Sequence, residues 1–452
     1  MVQKNDEVVI TVTDYTREGH GLGRADGYVI IVPGGVRDDK LLVHIVKAGK
    51  NMGYGKIKEI LVPSPYRVPP LCAVSERCGG CAFQTTSYDE EKRLKQKRVT
   101  DALRRIAGIE GPNVRPIVGA DELAGYRNKA QYPVRKIDGR AAAGFFAAGS
   151  HRLIPSEHCR IEPDIFSDIL RFTLDFAERH RIPPYEEQTH TGRLRHLYLR
   201  QGKASGELLV CPVVNGAPFP AVYADELIAA FPAVVCVCCN INNERTNAVL
   251  GGETVFLTKR RYITDVLLGK TFRISPRSFY QVNHDQTEKL YALVAEAADV
   301  TETDTVLDLY CGIGTIGICA AARAGKLVGV EIVSDAVENA KQNAALNGLR
   351  NTEYYCADAK NGARLLADKG YHFTTVIVDP PRKGCDEATV AALGQLAPEK
   401  IVYVSCDPAT LARDIARLSP LGYHLASATP VDMFPRTGHV ETVCKLLRRG
   451  RA

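Results

Sequence analysis

The sequence predicts a multidomain protein with an N-terminal OB-like β-barrel, a β-rich α+β central domain and a C-terminal doubly wound, Rossmann-like α/β domain. At 452 residues the chain is too long for one hydrophobic core, because domains hold roughly 100–200 residues. Short β-rich runs occupy the first part, and strands alternate regularly with helices after Phe279. We expect the domain boundaries at residues 1–62, 63–270 and 271–452.

The composition is typical of a globular protein without a membrane segment. Hydrophobic residues make up 45% and charged residues 24%, and no stretch approaches about 18 apolar residues. The start MVQKNDEVVITV lacks the apolar core of a signal peptide, so we expect a cytoplasmic protein. Its 14 cysteines are then expected to be ligands, nucleophiles or core residues rather than disulfides. The net charge of +6 is small for this length and favours an anionic partner only weakly.

The N-terminal barrel is predicted from four short runs of β-forming residues. These runs are VVITVTDY, GYVIIVPG, LLVHIVKA and YGKIKEIL, and glycine-rich turns separate several of them. Prolines at positions 63, 65, 69 and 70 mark a linker after the barrel. From about residue 126 to 270, further β-runs such as LRHLYLR and GELLVCPVV mix with one or two helices and indicate the central domain.

Clustered cysteines follow the linker. Cys72, Cys78 and Cys81 place three thiols in ten residues, and Cys159 supplies a candidate fourth much later in the chain. Structural zinc and an iron–sulfur cluster both take four thiolates, so the spacing leaves both open and favours zinc slightly.

A strongly basic helical stretch, EKRLKQKRVTDALRR, comes next. Metal–thiolate binding is expected to fold the proline-rich segment before it, because binding energy at such a site becomes folding energy. Five cations of this stretch are then expected to form one rigid phosphate-binding surface: Lys92, Arg93, Lys95, Lys97 and Arg98.

The C-terminal domain carries a glycine-rich loop after its first strand. Gly312 to Gly317 read G-x-G-x-x-G, and Glu331 at the end of the second strand is placed to hold ribose hydroxyls. The loop by itself suits NAD equally well. Asp308 and Asp379, at the ends of the first and fourth strands, favour S-adenosylmethionine, because a carboxylate attracts its cationic end and repels a pyrophosphate.

The apolar strand KIVYV ends in Ser405-Cys406-Asp407-Pro408, at the edge where parallel sheets bind ligands. Cysteine is also common in protein cores, so this window alone favours a structural thiol. Beside a methyl-donor loop, however, Cys406 suits covalent catalysis, since thiolate addition at uracil C6 makes C5 nucleophilic. A carboxylate must later remove the C5 proton, and Glu441 in GHVETV is the best candidate. Adenine amino-methyltransferases share Asp-Pro-Pro but typically continue with an aromatic residue, where this chain has Arg382.

Taken together, the motifs resemble the RNA (uracil-5-)-methyltransferases, specifically the bacterial 23S rRNA enzymes with a TRAM domain and an iron–sulfur cluster. The resemblance rests on the N-terminal barrel, the cysteine run, SFYQVN, DLYCGIGT, DPPRKG, VSCDP and FPRTGHVE, and spans essentially the whole chain. It implies a monomer that transfers a methyl group from S-adenosylmethionine to a single-stranded or loop uridine of 23S rRNA.

The resemblance also assigns residues to roles. Cys406 looks like the nucleophile and Glu441 like the general base. The residues similar to the family's methyl-donor site are Gln281, Tyr310, Glu331, Asp358 and Asp379. The implied ligands of a [4Fe-4S] cluster are Cys72, Cys78, Cys81 and Cys159.

Two alternatives stay open at this point. The substrate could be tRNA, although we expect tRNA enzymes to match only the later part of the chain and to lack the barrel and the cysteine cluster. The protein could also be a non-catalytic RNA-binding module with a degenerate transferase domain, but intact Cys406 and Glu441 argue against this.

Overall fold

The structure is a computed structural model that describes residues 2–449. The chain divides into two compact units. Unit 1 comprises Met1–Lys97, Phe145–Ser156 and Phe434–His439, and unit 2 comprises Arg98–Gly144, Glu157–Met433 and Val440–Ala452. Within the described residues no helix is both long and apolar enough to cross a membrane.

Unit 1 contains a closed five-stranded barrel, as the sequence predicts. Its strands are β1 (Glu7–Tyr15), β2 (Gly21–Ala25), β3 (Tyr28–Val32), β4 (Lys40–Ala48) and β5 (Met52–Val62). They close in the order β1-β2-β3-β5-β4, with β3 and β5 parallel and the other pairs antiparallel. Alternate residues of β1, such as Ile10 and Val12, fill the core while Thr11 faces outward, the period expected of a half-buried strand.

The basic stretch forms α1 (Tyr88–Arg105), but its cations do not form the expected surface. Lys95 is fully buried, with Nζ 2.7 Å from the Glu91 carboxylate, and Lys97 pairs with Asp14 at 3.1 Å. Arg93 and Lys92 pair with Glu90 and Asp89 on the same helix. The prediction of one phosphate-binding surface from these five cations is therefore wrong, because four of them neutralise neighbouring carboxylates.

The first sheet of unit 2 belongs to the central region of the chain. The elements here are β6 (Lys129–Ile137), β7 (Arg140–Phe146), β8 (Leu153–Pro155), α2 (Asp164–Arg179), β9 (Leu194–Gln201), β10 (Leu208–Val214), α3 (Val222–Ala230), β11 (Val234–Ile241) and β12 (Glu253–Phe256). Of these, β8 lies in unit 1. The strands of unit 2 lie in the order β12-β11-β10-β9-β6-β7. A separate hairpin of β13 (Ile263–Leu267) and β14 (Lys270–Ile274) follows.

The second sheet of unit 2 is the doubly wound one. The elements are α4 (His284–Ala298), β15 (Thr305–Leu309), α5 (Thr315–Ala320), β16 (Lys326–Glu331), α6 (Ser334–Leu346), β17 (Thr352–Cys356), α7 (Ala359–Asp368), β18 (Thr375–Val378), α8 (Glu387–Leu396), β19 (Lys400–Ser405), α9 (Pro408–Leu418), a 3-10 turn (Ser419–Leu421), β20 (Tyr423–Val431) and β21 (Glu441–Arg448). The strand order is β17-β16-β15-β18-β19-β21-β20.

The strand order of this sheet indicates where a ligand is expected to bind. Strands β15 to β19 are parallel, whereas β21 runs antiparallel to both β19 and β20. The order reverses between β15 and β18, and ligands of such sheets bind beyond the strand ends at this reversal. The predicted fold class is confirmed, and the three domain boundaries stay a prediction.

Candidate active site

A tight turn presents Cys406 at the carboxyl end of β19. The Asp407 amide donates to the Ser405 hydroxyl at 3.2 Å, and the Asp407 carboxylate accepts from the Ala409 and Thr410 amides at 2.9 and 3.2 Å. Asp407 is thus the N-cap of α9, with Pro408 in its first turn. The serine and the Asp-Pro pair therefore end the strand and start the helix, and leave the half-buried Cys406 between them.

Glu441 reaches Cys406 through the pairing of β19 with β21. The last pair of this antiparallel ladder joins Ser405 to Thr442. Cys406 directly follows Ser405 and Glu441 directly precedes Thr442, so both residues lie at this end of the ladder. The Glu441 carboxyl is close enough to Cys406 to raise the pKa of its thiol. Glu441 is only 4% exposed. The two predicted catalytic residues therefore come together, although they are far apart in the sequence.

The electrostatics of this pocket favour neutral side chains. Burial raises the pKa of the Cys406 thiol to about 12, and the carboxyls of Glu441 and Asp379 add to the rise. Burial, together with Asp379, raises the pKa of Glu441 to about 8. Burial also raises the pKa of Asp379 to about 7. Arg382 acts in the opposite direction on the pKa values of Cys406 and Glu441.

This charge balance indicates what the pocket accepts. Two carboxyls and a thiol share a poorly solvated space with one nearby guanidinium, from Arg382. A second positive charge placed there would lower all three pKa values and so favour the thiolate and the carboxylates. The pocket thus suits a cationic ligand.

The glycine-rich loop follows β15 at the adjoining strand end. Tyr310 has φ of 74°, and its amide donates to the Val330 carbonyl at 3.0 Å. A bulky residue rarely adopts this left-handed conformation, so the surrounding structure must hold it there. Gly312 and Gly314, at φ of 54° and 86°, continue the turn into α5, and glycine adopts such angles without strain.

Glu331 and Asp358, two acids predicted for the donor site, both accept hydrogen bonds from backbone amides in this structure. Glu331 accepts from the Gly312 amide at 3.1 Å and from the Val333 amide at 2.9 Å. Asp358 is the N-cap of α7 and accepts from the Asn361 amide at 2.9 Å. Glu331 therefore orients the glycine loop, and both acids lie at the strand ends where the sequence predicts a ligand.

Asp308 lies beneath this loop. One carboxylate oxygen accepts from the Gly317 amide at 2.9 Å, and the other has no hydrogen-bond partner among the described residues. Burial raises the pKa of Asp308 to about 7. Gly317 is required here, because a Cβ atom would lie 2.7 Å from the Asp308 oxygen.

Gln281 lies in the segment that leads into α4. Its carbonyl accepts from the Asn128 side chain at 3.0 Å, and the Val282 carbonyl accepts from the Asn128 amide at 2.8 Å. Asn283 then caps α4. The first residues of the central sheet therefore hold the segment that carries Gln281.

Sequence reasoning missed a buried network that holds the loop after Asp379. Asp414, on α9, accepts from the Cys385 amide and from the Tyr403 hydroxyl, each at 2.8 Å. Arg413 donates to the Lys383 carbonyl at 2.8 Å. The helix that starts after Cys406 thus fixes the loop that carries Arg382. The sequence signal for this network was weak: the charged pair Arg413-Asp414 stands beside apolar positions of an amphipathic helix.

The predicted metal ligands give a mixed result. In unit 1, burial raises the pKa of Cys81 to about 11, and the nearby thiols of Cys78 and Cys72 contribute to the rise. In unit 2, the Cys159 thiol hydrogen-bonds to Glu162. Residues 2–449 contain no group of three His, Cys, Asp or Glu side chains placed to hold a metal ion. The chemistry of three neighbouring thiols fits thiolate ligation, but they are not arranged around a common centre.

Comparison with known families identifies both ends of the chain. The TRAM domain family matches residues 2–58, which cover most of the barrel. The family described as tRNA (Uracil-5-)-methyltransferase matches residues 252–449, which include the doubly wound sheet and the pocket.

Relatives match over the full length. A protein described as an RNA methyltransferase from Halalkalibacterium halodurans is 41% identical over 447 residues, covering 98% of each chain. A similarly described protein from Oceanobacillus iheyensis is 39% identical, covering 98% of this chain and 97% of its own.

A solved structure is also similar. The tRNA (uracil-54, C5)-methyltransferase of Pyrococcus abyssi, in complex with S-adenosyl-L-homocysteine, is 27% identical, with a TM-score of 0.78. The match covers 98% of this chain and 100% of that one. Our expectation that tRNA enzymes match only the later part of the chain is therefore wrong.

The barrel, the sheet order and the pocket agree with these similarities. The resemblance inferred from the motifs is confirmed at the level of the family. The chain belongs to the S-adenosylmethionine-dependent RNA (uracil-5-)-methyltransferases.

Proposed function

We propose that this enzyme methylates C5 of a uridine in 23S rRNA through a covalent adduct with Cys406. The observation that supports the mechanism is that Cys406 and the buried Glu441 flank the last pair of the β19–β21 ladder, and that the Glu441 carboxyl raises the pKa of the Cys406 thiol. The motif resemblance to bacterial 23S rRNA enzymes supports the choice of RNA. The proposed location is the cytoplasm, where ribosomal RNA is found, and the proposed state is a monomer.

Cys406 acts first. Its thiolate adds to uracil C6, and the electron pair of the C5–C6 double bond moves onto C5 and the C4 oxygen, so that C5 becomes nucleophilic. C5 then takes the methyl group of S-adenosylmethionine: the bond from C5 to the methyl carbon forms as the methyl–sulfur bond breaks, and S-adenosylhomocysteine leaves with the electron pair. Before transfer, the sulfonium of the donor places a positive charge beside the pocket. Since burial and two carboxyls oppose the thiolate, donor binding is expected to precede attack by Cys406.

Glu441 acts last. After methyl transfer, C5 carries both the new methyl group and its original proton. The Glu441 carboxylate removes this proton, the C5–C6 double bond forms again, and the Cys406 thiolate leaves C6. The raised pKa of Glu441 suits this step, because a base with a pKa near 8 takes a proton more readily than an ordinary carboxylate.

The proposed donor-binding residues are Gln281, Tyr310, Glu331, Asp358 and Asp379. Support comes from their positions at the strand ends around the reversal of the sheet order, and on the segment before α4. Glu331 and Tyr310 flank the glycine loop, and Asp379 closes β18 beside Cys406.

Covalent trapping tests the mechanism. With RNA that carries 5-fluorouridine, the wild-type enzyme should form a stable adduct, because C5 holds fluorine in place of the removable proton. Cys406→Ser should bind the donor but form no adduct. Glu441→Gln should accumulate an adduct with ordinary RNA, since the proton is not removed. Trapping by the serine variant would identify a different nucleophile.

Transfer RNA is the second candidate substrate. The full-length similarity to the Pyrococcus abyssi tRNA enzyme favours it. Mass mapping of 5-methyluridine in ribosomal and transfer RNA, from cells with and without the gene, distinguishes the two. Loss of the modification from tRNA alone would refute the ribosomal proposal.

We further propose that Cys72, Cys78, Cys81 and Cys159 ligate a [4Fe-4S] cluster that shapes the RNA-binding region and takes no part in methyl transfer. Support comes from the proximity of three of these thiols, because Cys78 and Cys72 both contribute to the raised pKa of Cys81. Metal ligands often come together around a common centre only when the metal binds, because metal binding and local folding are coupled. Iron and acid-labile sulfide in anaerobically purified protein test this proposal, and stoichiometric zinc would refute it.

A further inference from the structure

Three cations lie together on the central sheet of unit 2. Lys129 on β6 pairs directly with Arg200 on β9 in the antiparallel ladder. Directly opposed residues have Cβ atoms about 4.5–5.5 Å apart and point to the same face of the sheet. Arg127 precedes Lys129 by two residues, and its Nε donates to the Lys129 carbonyl at 3.1 Å. Two like charges are thus held opposite each other, with a third alongside.

No acid balances these cations. Among residues 2–449, Arg127, Lys129 and Arg200 form no salt bridge, and the charges that act on Lys129 are those of Arg200 and Arg127. Glu162 contributes only a longer-range interaction with Arg127 and already accepts from the Tyr132 hydroxyl. This contrasts with α1, where most of the cations are paired with carboxylates.

The cluster is also poorly solvated. Arg200 is 2% exposed, and its Nε has no hydrogen-bond partner among the described residues. Burial lowers the pKa of Lys129 to about 8, and the charges of Arg200 and Arg127 lower it further. Like charges opposed across a ladder destabilise a sheet, and buried charges without a countercharge are costly. A ligand that carries negative charge would remove both costs.

The cluster adjoins the segment that carries Gln281. Arg200 donates to the Ser278 carbonyl at 2.8 Å, and Arg127 forms a β-bridge with Asn283. Asn128, between Arg127 and Lys129, donates to the Gln281 carbonyl. The three cations therefore lie beside the proposed donor site, where the target nucleotide must also lie for methyl transfer.

We propose that Arg127, Lys129 and Arg200 bind a backbone phosphate of the RNA substrate close to the target uridine. The proposal rests on the proposed function, which requires RNA in this part of unit 2. Guanidinium and ammonium groups together suit a phosphate, because one offers a planar set of donors and the other a compact charge. RNA supplies such a group at every nucleotide.

The test uses Lys129→Met in the full-length enzyme, since methionine keeps an unbranched chain and removes the charge. Lys136→Met is the matched control, because Lys136 is an exposed cation on the same strand. Binding of fluorescein-labelled oligouridylate is measured by anisotropy at increasing salt. Lys129→Met should bind roughly tenfold more weakly than wild type. Its slope of log affinity against log salt should be smaller by about 0.7, the value for one phosphate on a single strand.

Two further measurements, of stability and of donor binding, distinguish RNA binding by Lys129 from a structural role and from binding of the donor. Lys129→Met should keep or raise the melting temperature, because it removes a partly buried charge that the neighbouring cations repel. The variant should bind S-adenosylmethionine as wild type does. An unchanged salt slope and affinity would overturn the proposal, whatever the melting temperature. Weaker donor binding with unchanged RNA binding would also overturn it and assign the cations to the donor carboxylate. Adduct formation by wild type with 5-fluorouridine RNA shows separately whether the proposed function holds.

Discussion

The replacement of Glu441 by glutamine should make protein stability depend less on pH. The pKa of this buried carboxyl is raised from its ordinary 4.5 to about 8. The folded protein therefore keeps a proton that the unfolded chain releases above about pH 4.5. The stability that this proton contributes is complete below that pH and is lost as the pH rises through about 8. Glutamine has nearly the same shape as the protonated acid but does not titrate.

The magnitude follows from the linkage between protonation and folding. One pKa unit corresponds to about 1.36 kcal/mol, so between about pH 5 and pH 8 wild type should lose at most about 4 kcal/mol that Glu441→Gln keeps. In a domain of this size, about 1 kcal/mol shifts the melting temperature by roughly 2–4 °C. The melting temperature of the variant minus that of wild type should therefore rise by several degrees from pH 5 to pH 8.

Thermal unfolding followed by circular dichroism at the two pH values measures this difference. Glu302→Gln serves as the control, because Glu302 is exposed. It should change the melting temperature equally at both pH values. If Glu441→Gln behaves like this control, Glu441 is already ionised in the folded protein at pH 5, and its burial does not raise its pKa.

Three further predictions concern the surroundings of the pocket and the cysteine run. Gly384→Ala should lower the melting temperature more than Gly370→Ala: both glycines have positive φ, but only at Gly384 does a Cβ meet the Asp414 carboxylate, at 2.4 Å. Equal effects would show that the loop can shift away. Tyr403→Phe should destabilise the protein by about 1–3 kcal/mol in chemical denaturation and lower kcat more than donor affinity, since buried Asp414 loses a donor; an unchanged kcat would leave this network a purely structural role. Cys81→Ala should lose iron and RNA affinity but retain donor binding, whereas Cys356→Ala, at an exposed cysteine, should retain all three. Full iron content in the first variant would contradict the ligand assignment.

Local sequence patterns were sufficient for the fold class, and the motifs named Cys406 and Glu441 as candidate catalytic residues. Alternating strands and helices predict a doubly wound sheet because each element must bury its own apolar face, which is a property of neighbouring residues. The position of Cys406 at a strand end was predictable, because Asp-Pro after an apolar run is a local signal that the strand ends. The glycine loop was predictable for the same reason, since its positive φ angles require glycine at those positions.

Tertiary structure decided which side chains meet and which charges are balanced. Glu441 lies close to Cys406 only because β21 returns antiparallel beside β19, and strand register depends on long-range packing. The same applies to Lys129 and Arg200, which adjacent strands bring together, and to Lys95, whose charge looked free in the sequence but lies buried against Glu91. Burial and partners determine the charge that a side chain carries, and both are set by contacts between residues distant in the sequence.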